Sequence, residues 1–296
     1  MRRSLLQKLL GLFGRSIAFI LYKLPRSIQF FLGDFIGLLW FDVLRIRRKV
    51  VIDNITRAFP ELSYKDKVKM GRWSLRYLGR SLIQYSYLPF MTPEKIKKLV
   101  KFEGFEHLDK ALEKNKGACL LTLHLGNGDL GVAALSLLGY PIQLISKEFT
   151  LRWLNDMWFG MRSRLGTKFI APRNSSYSIL KALKSNEVVI FVLDQFMGPP
   201  IGVKTKFFGH ETGTAMGLTV MSKRTQAPVV PIYMKWNEDG THTLTCLPPV
   251  EFEEQANNEE TLTYMTQKYS DQVEEIIKKH PEQWMWIHRR WKKYKF

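Results

Sequence analysis

A histidine and an aspartate stand five positions apart in residues 121–131, LTLHLGNGDLG, where a strand pattern gives way to a helix pattern. His124 is a candidate general base, and Asp129 is a candidate carboxylate that would fix the tautomer of its imidazole. The second ring nitrogen would then be free to take a proton from an alcohol. Gly126 and Gly128 allow the tight turn that this contact requires. The alternative interpretation is a structural histidine followed by a helix-capping aspartate.

The same segment also contains a dinucleotide-binding pattern. Gly126, Gly128 and Gly131 have the spacing G-x-G-x-x-G, which in nucleotide-binding folds lies between a strand and a helix. Glu148 provides an acidic residue about 20 positions further on, as those folds require. The segment alone does not decide between an oxidoreductase and a histidine-based catalyst.

Other polar residues fall where a cleft would form. Asp194 ends the apolar run EVVIFVLD and Gln195 follows it, and functional side chains of open α/β sheets gather at the carboxyl ends of strands. Arg162 and Arg164, in MRSRLG, carry side chains suited to bidentate phosphate binding. Thr214 is a candidate cap for a later helix. The alternative for Asp194 and Gln195 is a solvated turn, and the alternative for Arg162 and Arg164 is a basic helix end.

Short apolar runs alternate with helical patterns from about residue 100 onward. This alternation predicts an α/β fold with a mostly parallel or mixed central sheet flanked by helices. The predicted strands are VKFEG, ACLLTLH, PIQLISK, TKFIA, EVVIFVLD, APVVPIYMKW and HTLTCLPPV. The predicted helices cover 105–114, 128–138, 151–165, 176–184, 214–224 and 261–279. Ser63 and Thr92 are predicted to cap two earlier helices.

The first fifty residues combine basic side chains with large apolar ones. Ten are lysine or arginine, only Asp34 and Asp42 are acidic, and the intervening runs include SIAFILY, SIQFFLG and FIGLLWF. Such a segment suits a membrane interface, with an apolar face in the lipid and cations toward anionic headgroups. A spanning helix needs about 20 apolar residues, and charges interrupt every run before that length. The alternative to a membrane contact is a pair of amphipathic helices, separated at Pro25, that pack on the protein's own core.

The overall charge indicates an anionic partner. The chain has 45 Lys and Arg against 27 Asp and Glu, a net charge of +18. Large apolar residues among the N-terminal cations favour an anionic membrane over a nucleic acid. Two cysteines, Cys119 and Cys246, lie in apolar runs and are predicted to be buried free thiols, too few for a disulfide framework or a cysteine-rich zinc site. We predict a helical membrane-interface segment over residues 1–58 and an α/β domain over residues 59–296.

The ordered motifs of this chain resemble one family. The terminal HPEQWMWIHRRWK is similar to the signature of the lipid A biosynthesis acyltransferases, the late lauroyl and myristoyl transferases of the lysophospholipid acyltransferase superfamily. NITRAFPELS, the H-x-G-N segment, R-x-R-x-G, VLDQ, FFG with a following Thr, and APVVPIY occur in the family's order. The resemblance extends over most of the chain.

The resemblance implies acyl transfer from a thioester to a hydroxyl at the cytoplasmic face of a cell inner membrane. His124 would be the base and Asp129 its partner, while Arg164 or backbone N–H groups past the glycines would stabilise the oxyanion. The donor would be an acyl-acyl carrier protein or acyl-coenzyme A, with no other cofactor and no metal. The acceptor would be a lipid A precursor or a similar anionic glycolipid. The expected substrate-binding residues are Arg162, Arg164, Asp194, Gln195, Gly126, Asn127 and Thr214.

Some positions depart from the family's usual pattern. The family more often has Trp and Glu where this chain has Gly128 and Asp129, which bears on the acceptor more than on the reaction. Acylation of a phosphatidylinositol mannoside or another glycolipid is the alternative within the class. A nucleotide-binding oxidoreductase and a non-catalytic membrane-binding protein are the alternatives outside it. Glu282 and Gln283 are expected to be structural, tying the C-terminal tryptophans to the core.

Overall fold

The computed structural model describes residues 5–292, and their side chains except those of residues 5–10 and 152–154. The predicted basic residues Arg2 and Arg3 lie outside this range. Eleven α-helices are present within the described residues. They are α1 Leu5–Lys23, α2 Arg26–Leu38, α3 Arg48–Ala58, α4 Tyr64–Gln84, α5 Pro93–Leu99, α6 Glu106–Leu112, α7 Gly128–Leu137, α8 Arg152–Arg164, α9 Ser176–Lys184, α10 Gly217–Thr225 and α11 Asn258–Lys279.

The strands form one large sheet and one hairpin. They are β1 Val100–Glu103, β2 Ala118–Thr122, β3 Ile142–Ile145, β4 Lys168–Ile170, β5 Val188–Val192, β6 Gly202–Phe207, β7 His210–Ala215, β8 Val229–Trp236 and β9 His242–Cys246. The seven-stranded sheet has the order β1-β9-β8-β2-β5-β3-β4. Every pair in it is parallel except β8 with β9, so the predicted mostly parallel α/β sheet is confirmed.

The central strands owe their position to uninterrupted apolar sequence. In β2 and β5, four consecutive residues of each strand are buried, as expected where helices cover both faces of a parallel sheet. Two clusters of buried apolar side chains lie on this sheet. Cys119 and Cys246 are both buried free cysteines, as predicted.

Local sequence signals fix several helix ends. The side chain of Ser63 accepts a hydrogen bond from the backbone N–H of Asp66 and caps α4, and Thr92 caps α5 in the same way through Lys95. Pro25 separates α1 from α2, as predicted. These capping predictions are confirmed.

The hairpin of β6 and β7 was not predicted. The helix expected from residue 214 begins at Gly217, and Thr214 lies inside β7, where it pairs with Val203. Thr214 is fully buried, and its hydroxyl lies 2.6 Å from that of Thr205. The helical prediction was wrong there because the polar sequence HETGT gives little apolar alternation, while cross-strand threonine pairs stabilise the hairpin.

Helix α2 packs on α4 through glycines. A Cβ atom at Gly79 of α4 would lie 2.1 Å from the backbone oxygen of Gly33 in α2, so the two helix backbones are nearly in contact. Asp34 of α2 forms ion pairs with Arg76 and Arg80 of α4 beside this contact. Close backbone packing and paired charges therefore fix α2 on the helix that leads toward the sheet.

The outer faces of the first two helices are apolar and exposed. The strongly exposed side chains are Leu12, Phe13, Ile17, Phe19, Ile20, Ile28, Phe31, Phe35, Val43, Leu44 and Ile46. Within the described residues no single helix is long and apolar enough to cross a membrane, although the bent pair 26–43 and 48–58 passes that test by length and composition. The exposed face extends over α1, α2 and the π-helical turn Leu39–Val43 that follows.

We expect Gly79→Ala to destabilise the protein, because the added methyl group would collide with the α2 backbone. Overpacking of this kind costs about 1–3 kcal/mol. Each kcal/mol lowers Tm by roughly 2–4 °C in a domain of this size class. Differential scanning calorimetry would measure the change.

Gly160→Ala is the matched control, because a Cβ atom at this position of α8 meets nothing within 4 Å. Its Tm should be unchanged or raised, since alanine favours a helix. Equal melting of the two variants would contradict the proposed backbone contact.

Candidate active site

His124 and Asp194 lie side by side because of the register between two parallel strands. Thr122 of β2 pairs with Val192 of β5. Two residues beyond the end of β2 lies His124, and two residues beyond the end of β5 lies Asp194. Their side chains meet at the carboxyl edge of the sheet. The sequence placed both residues at strand ends but did not show that their strands are neighbours.

Asp194 holds His124 through two hydrogen bonds. The backbone N–H of His124 donates to Oδ2 of Asp194 at 2.9 Å, and Nδ1 of the imidazole lies 2.8 Å from Oδ1. Trp284 Nε1 donates a further hydrogen bond to Oδ2 at 2.7 Å. The carboxylate is 1% exposed, whereas the histidine side chain is 37% exposed. This arrangement fixes the Nδ1–H tautomer and leaves Nε2 as the basic nitrogen.

The surrounding charges set the protonation of this pair. Burial acts first on His124 and lowers its pKa, but the charge of Asp194, its hydrogen bond and the charge of Asp129 prevail and raise the pKa above the ordinary value. Burial has the opposite effect on Asp194 and raises its pKa. The charge and hydrogen bonds of His124 and the hydrogen bond from Trp284 outweigh burial and hold the pKa of Asp194 well below its usual range. Asp194 is therefore ionised at neutral pH.

In the described part of the chain, no hydrogen bond or ion pair joins Asp129 to His124, which corrects the expected pairing. It lies in the first turn of α7 and forms an ion pair with the buried Arg162 of α8. Arg162 also stacks on Trp158, with its guanidinium carbon 3.9 Å from the ring centroid. A buried guanidinium needs a counter-charge, and Asp129 supplies it. The hydrogen bond to Nδ1 of His124 is made by Asp194 instead. Asp129 still acts on His124 through its charge.

The glycines between His124 and Asp129 serve different purposes. Gly126 has φ +60°, and a Cβ atom there would lie 2.3 Å from the backbone oxygen of Met234 in β8. Close approach of β8 thus explains this glycine without a pyrophosphate. Gly128 has neither constraint, since a Cβ atom at its position meets nothing within 4 Å. Asn127 is buried, caps α7 and donates a hydrogen bond to Gln84 at 2.9 Å, so its side chain is engaged in the fold.

A second histidine joins the site from the C-terminal segment. Nε2 of Gln195 lies 3.1 Å from Nε2 of His288, whose ring centroid is 5.5 Å from that of His124. The same amide nitrogen is 3.4 and 3.3 Å from the two ring nitrogens of His124. Because it is nearly equidistant from both, it lies against the ring and not along the lone pair of Nε2. Gln195 therefore holds the imidazole in position, and the histidine side chain stays 37% exposed.

Two other predicted substrate-binding residues lie away from His124. Thr214 accepts a hydrogen bond from the buried Arg290, which also donates to the backbone oxygens of Gln195 and Gly213. Thr214 therefore supports the backbone at Gln195 and does not line the pocket of His124. Arg164 lines a separate cavity between α1 and α8. Its expected role at the oxyanion of this pocket is not supported by that placement.

The pocket beside His124 has a volume of about 290 Å³. Its polar lining includes His124, Asp129 and Arg162, and its remaining wall is largely apolar. Buried apolar side chains of the sheet and α7 form that wall, including Leu135, Ile190, Ile232 and Leu244. Nε of Arg162 is buried and has no hydrogen-bond partner among the described residues. The site thus combines a candidate base, His124, and a cation, Arg162, with an apolar cavity.

The C-terminal motif builds the floor of this site. Gln283 exchanges hydrogen bonds with the backbone of Trp236 at 2.8 and 3.1 Å, and its own carbonyl accepts from Gly126. The adjacent Trp284 reaches Asp194. The structural role predicted for Gln283 fits these contacts. His288 and Trp284 were not recognised as site residues, although both belong to the most family-specific sequence, HPEQWMWIHRRWK.

Comparison with known proteins places this chain in an enzyme family. A family described as bacterial lipid A biosynthesis acyltransferase matches residues 2–293. The lipid A biosynthesis lauroyltransferase of Escherichia coli strain K12 is 27% identical over 283 residues, covering 94% of this chain and 90% of that protein. The palmitoleoyltransferase of the same strain is 26% identical, covering 95% and 90%. The myristoyltransferase is 22% identical, covering 81% and 73%.

The family match and these relatives therefore identify an acyltransferase. More particularly, the chain belongs to the bacterial lipid A biosynthesis acyltransferase family.

We expect His124→Ala to lower kcat by about 10²–10⁴-fold, the usual contribution of a general base. Asp194→Asn should be comparably impaired, because the amide removes the charge that favours imidazolium and disturbs the tautomer. Asp129→Asn should act mainly by leaving Arg162 without its counter-charge. Steady-state kinetics of acyl transfer would measure all three.

The pH profile separates the two aspartates. The raised pKa of His124 means that the acid limb of kcat/KM, where the base becomes protonated, lies above the ordinary histidine value. Removing the charge of Asp194 should move this limb to lower pH, and Asp129→Asn should move it less. A larger shift in Asp129→Asn would contradict the assignment of Asp194 as the direct partner.

Proposed function

We propose that this protein transfers a fatty acyl chain from an acyl thioester to a hydroxyl group of a lipid A precursor. The observation that carries the proposal is the His124–Asp194 pair, whose partly exposed imidazole lines a largely apolar pocket. The family match and the names of the relatives supply the substrate class. A similar anionic glycolipid is the alternative acceptor.

We propose a direct transfer in which His124 and Asp194 act as a pair. Nε2 of His124 removes the proton of the acceptor hydroxyl as its oxygen attacks the thioester carbonyl. The resulting imidazolium is stabilised by the ionised Asp194. When the tetrahedral intermediate collapses, the carbon–sulfur bond breaks and the thiolate leaves, taking the proton back from the imidazolium. The products are an ester and a free thiol, and no acyl-enzyme forms.

Arg162 is our candidate for charge stabilisation in place of Arg164. It lines the pocket of His124, and its unpartnered Nε could donate to the developing oxyanion. Its ion pair with Asp129 and its stacking on Trp158 keep the guanidinium fixed before substrate binds. A preorganised cation does not have to reorient during the reaction. In this proposal, the H-x4-D aspartate positions the arginine.

Acyl carrier protein is our favoured donor, with acyl-coenzyme A as the alternative. The net charge of +18 attracts an acidic carrier protein and raises its rate of encounter. The thioester would enter beside His124, and its hydrocarbon would lie against the apolar wall of the pocket. No cofactor beyond the thioester co-substrate is required by this chemistry.

The exposed apolar faces of α1 and α2 are our candidate membrane contact. Leu12, Phe13, Phe31 and Phe35 are each more than half exposed, and basic residues flank them. We propose a peripheral or monotopic position at the cytoplasmic face of the inner membrane. This position would give the acceptor lipid access to the site without leaving the bilayer.

The reaction itself is tested by incubating the purified protein with a lipid A precursor and an acyl thioester, followed by mass spectrometry. We expect the mass of one acyl group to be added, faster with acyl carrier protein than with coenzyme A at low salt. Since screening acts over about 8 Å at physiological ionic strength, the carrier-dependent rate should fall as salt rises. The protein-free reaction and His124→Ala are the controls. An equal salt response of both donors would refute the preference for the carrier.

Membrane association is tested by fractionation and vesicle flotation. The full chain should float with vesicles containing anionic lipid, and Phe31→Glu with Phe35→Glu should weaken flotation, since charges enter the apolar face. Tyr177→Glu, a similarly exposed aromatic position on α9, is the control and should float normally. Loss of flotation in the control alone would contradict the assigned surface.

A further inference from the structure

A second and larger cavity lies between α1 and α8. Its volume is about 530 Å³, within the range of small-molecule sites. Its lining is mainly apolar and includes Leu12, Ile17 and Leu21 of α1 and Met157 and Met161 of α8. The cavity is therefore suited to a hydrocarbon chain.

Aromatic contacts hold α1 in place along this cavity. Tyr22 stacks on Phe90 of the 3₁₀ helix Tyr85–Phe90 with ring centroids 5.0 Å apart, and Phe19 packs edge-on against the same ring at 5.7 Å. The cavity is thus bounded by side chains of three elements that pack against one another.

Two arginines flank the apolar cavity. Arg15 projects from α1 and Arg164 from the last turn of α8, and both also line a neighbouring groove. Both are exposed, and neither has a hydrogen bond or an ion pair within the described residues. Asp156 lines the cavity, but no carboxylate lines the groove that the two arginines share, as far as the described residues show. Two unneutralised guanidinium groups next to hydrocarbon favour an anionic amphiphile.

The cavity also adjoins the pocket of His124. Tyr85 and Trp158 line both spaces, and their rings meet edge to face with centroids 4.7 Å apart. These two aromatic side chains therefore form a shared boundary between the α1–α8 cavity and the pocket of His124. This continuity favours a reacting lipid over a bulk membrane lipid.

We propose that the α1–α8 cavity binds the acceptor lipid, with an anionic phosphate between Arg15 and Arg164 and a hydrocarbon chain in the apolar interior. This inference rests on the proposed acyl transfer and adds the place where the acceptor is held. It gives Arg164 a role in acceptor binding, whereas Arg162 acts at the reacting carbonyl. The exposed apolar face of α1 beside the cavity would admit the lipid from the bilayer.

The first test is steady-state kinetics of Arg15→Gln, Arg164→Gln and the double variant with a phosphorylated acceptor lipid. Exposed ion pairs contribute up to about 1 kcal/mol each, so KM for the acceptor should rise about threefold to fivefold per substitution. The value of kcat and the KM for the donor should stay unchanged. Arg224→Gln is the charge-matched control, since Arg224 is exposed on α10 and lines neither cavity.

A second test measures binding without catalysis. The probe is phosphatidic acid with brominated acyl chains in neutral detergent micelles, and diacylglycerol with the same chains is the uncharged control. Bromine should quench the tryptophan fluorescence of the wild type more with phosphatidic acid than with diacylglycerol. This difference should disappear in the Arg15 and Arg164 double variant. Phosphatidic acid should also compete with the acceptor, raising its KM while kcat stays constant.

The outcomes separate this inference from the proposed function. A fall in kcat with unchanged acceptor KM, or equal effects of Arg224→Gln, would overturn the assignment of the two arginines. Binding of phosphatidic acid without competition would show a site for a membrane lipid and overturn the acceptor assignment. If the wild type binds phosphatidic acid through the arginines but transfers no acyl group, the anionic-lipid site stands and the proposed function fails.

Discussion

The site depends on the hydrogen bonds that the buried carboxylate of Asp194 accepts. An ionised group that is 1% exposed must be compensated, and the backbone and ring of His124 and the indole of Trp284 all donate to it. These bonds fix the end of β2 beside the end of β5 and attach the C-terminal segment to both strands. Removing any one partner leaves part of a buried charge unsatisfied. The orientation of His124 and the stability of the surrounding structure therefore depend on one carboxylate.

The same C-terminal segment links the site to the N-terminal helices. Asn54 of α3 donates hydrogen bonds to the backbone oxygens of Trp286 and His288, and Ser74 of α4 donates to that of Trp284. In our proposal α1 and α2 contact the membrane, and α2 packs closely on α4. The backbone that carries His288 is thus held by helices that pack against α2 or lie next to it in the chain. Packed contacts therefore connect the proposed membrane-contacting helices to the candidate active site.

The sequence predicts the sheet well and the pairing of the site less well. Apolar runs and caps such as Ser63 are local signals, so strands and helix ends follow from them. The partner of His124 depends on which strands are neighbours, and that register links residues 70 positions apart. Proximity in sequence favoured Asp129 as the partner of His124, whereas in the structure this carboxylate forms an ion pair with the buried Arg162. His288 and the β6–β7 hairpin were likewise missed because their contacts are long-range or their sequence is polar.

The tautomer of His124 tests the central claim most directly. Nitrogen-15 and proton NMR of histidine-labelled protein in detergent would detect it, with His124→Ala assigning the signal. We expect an Nδ1–H tautomer when the ring is neutral, retained in Asp129→Asn and lost in Asp194→Asn. Loss of this tautomer in Asp129→Asn and its retention in Asp194→Asn would contradict the assignment of Asp194 as the group that orients the base.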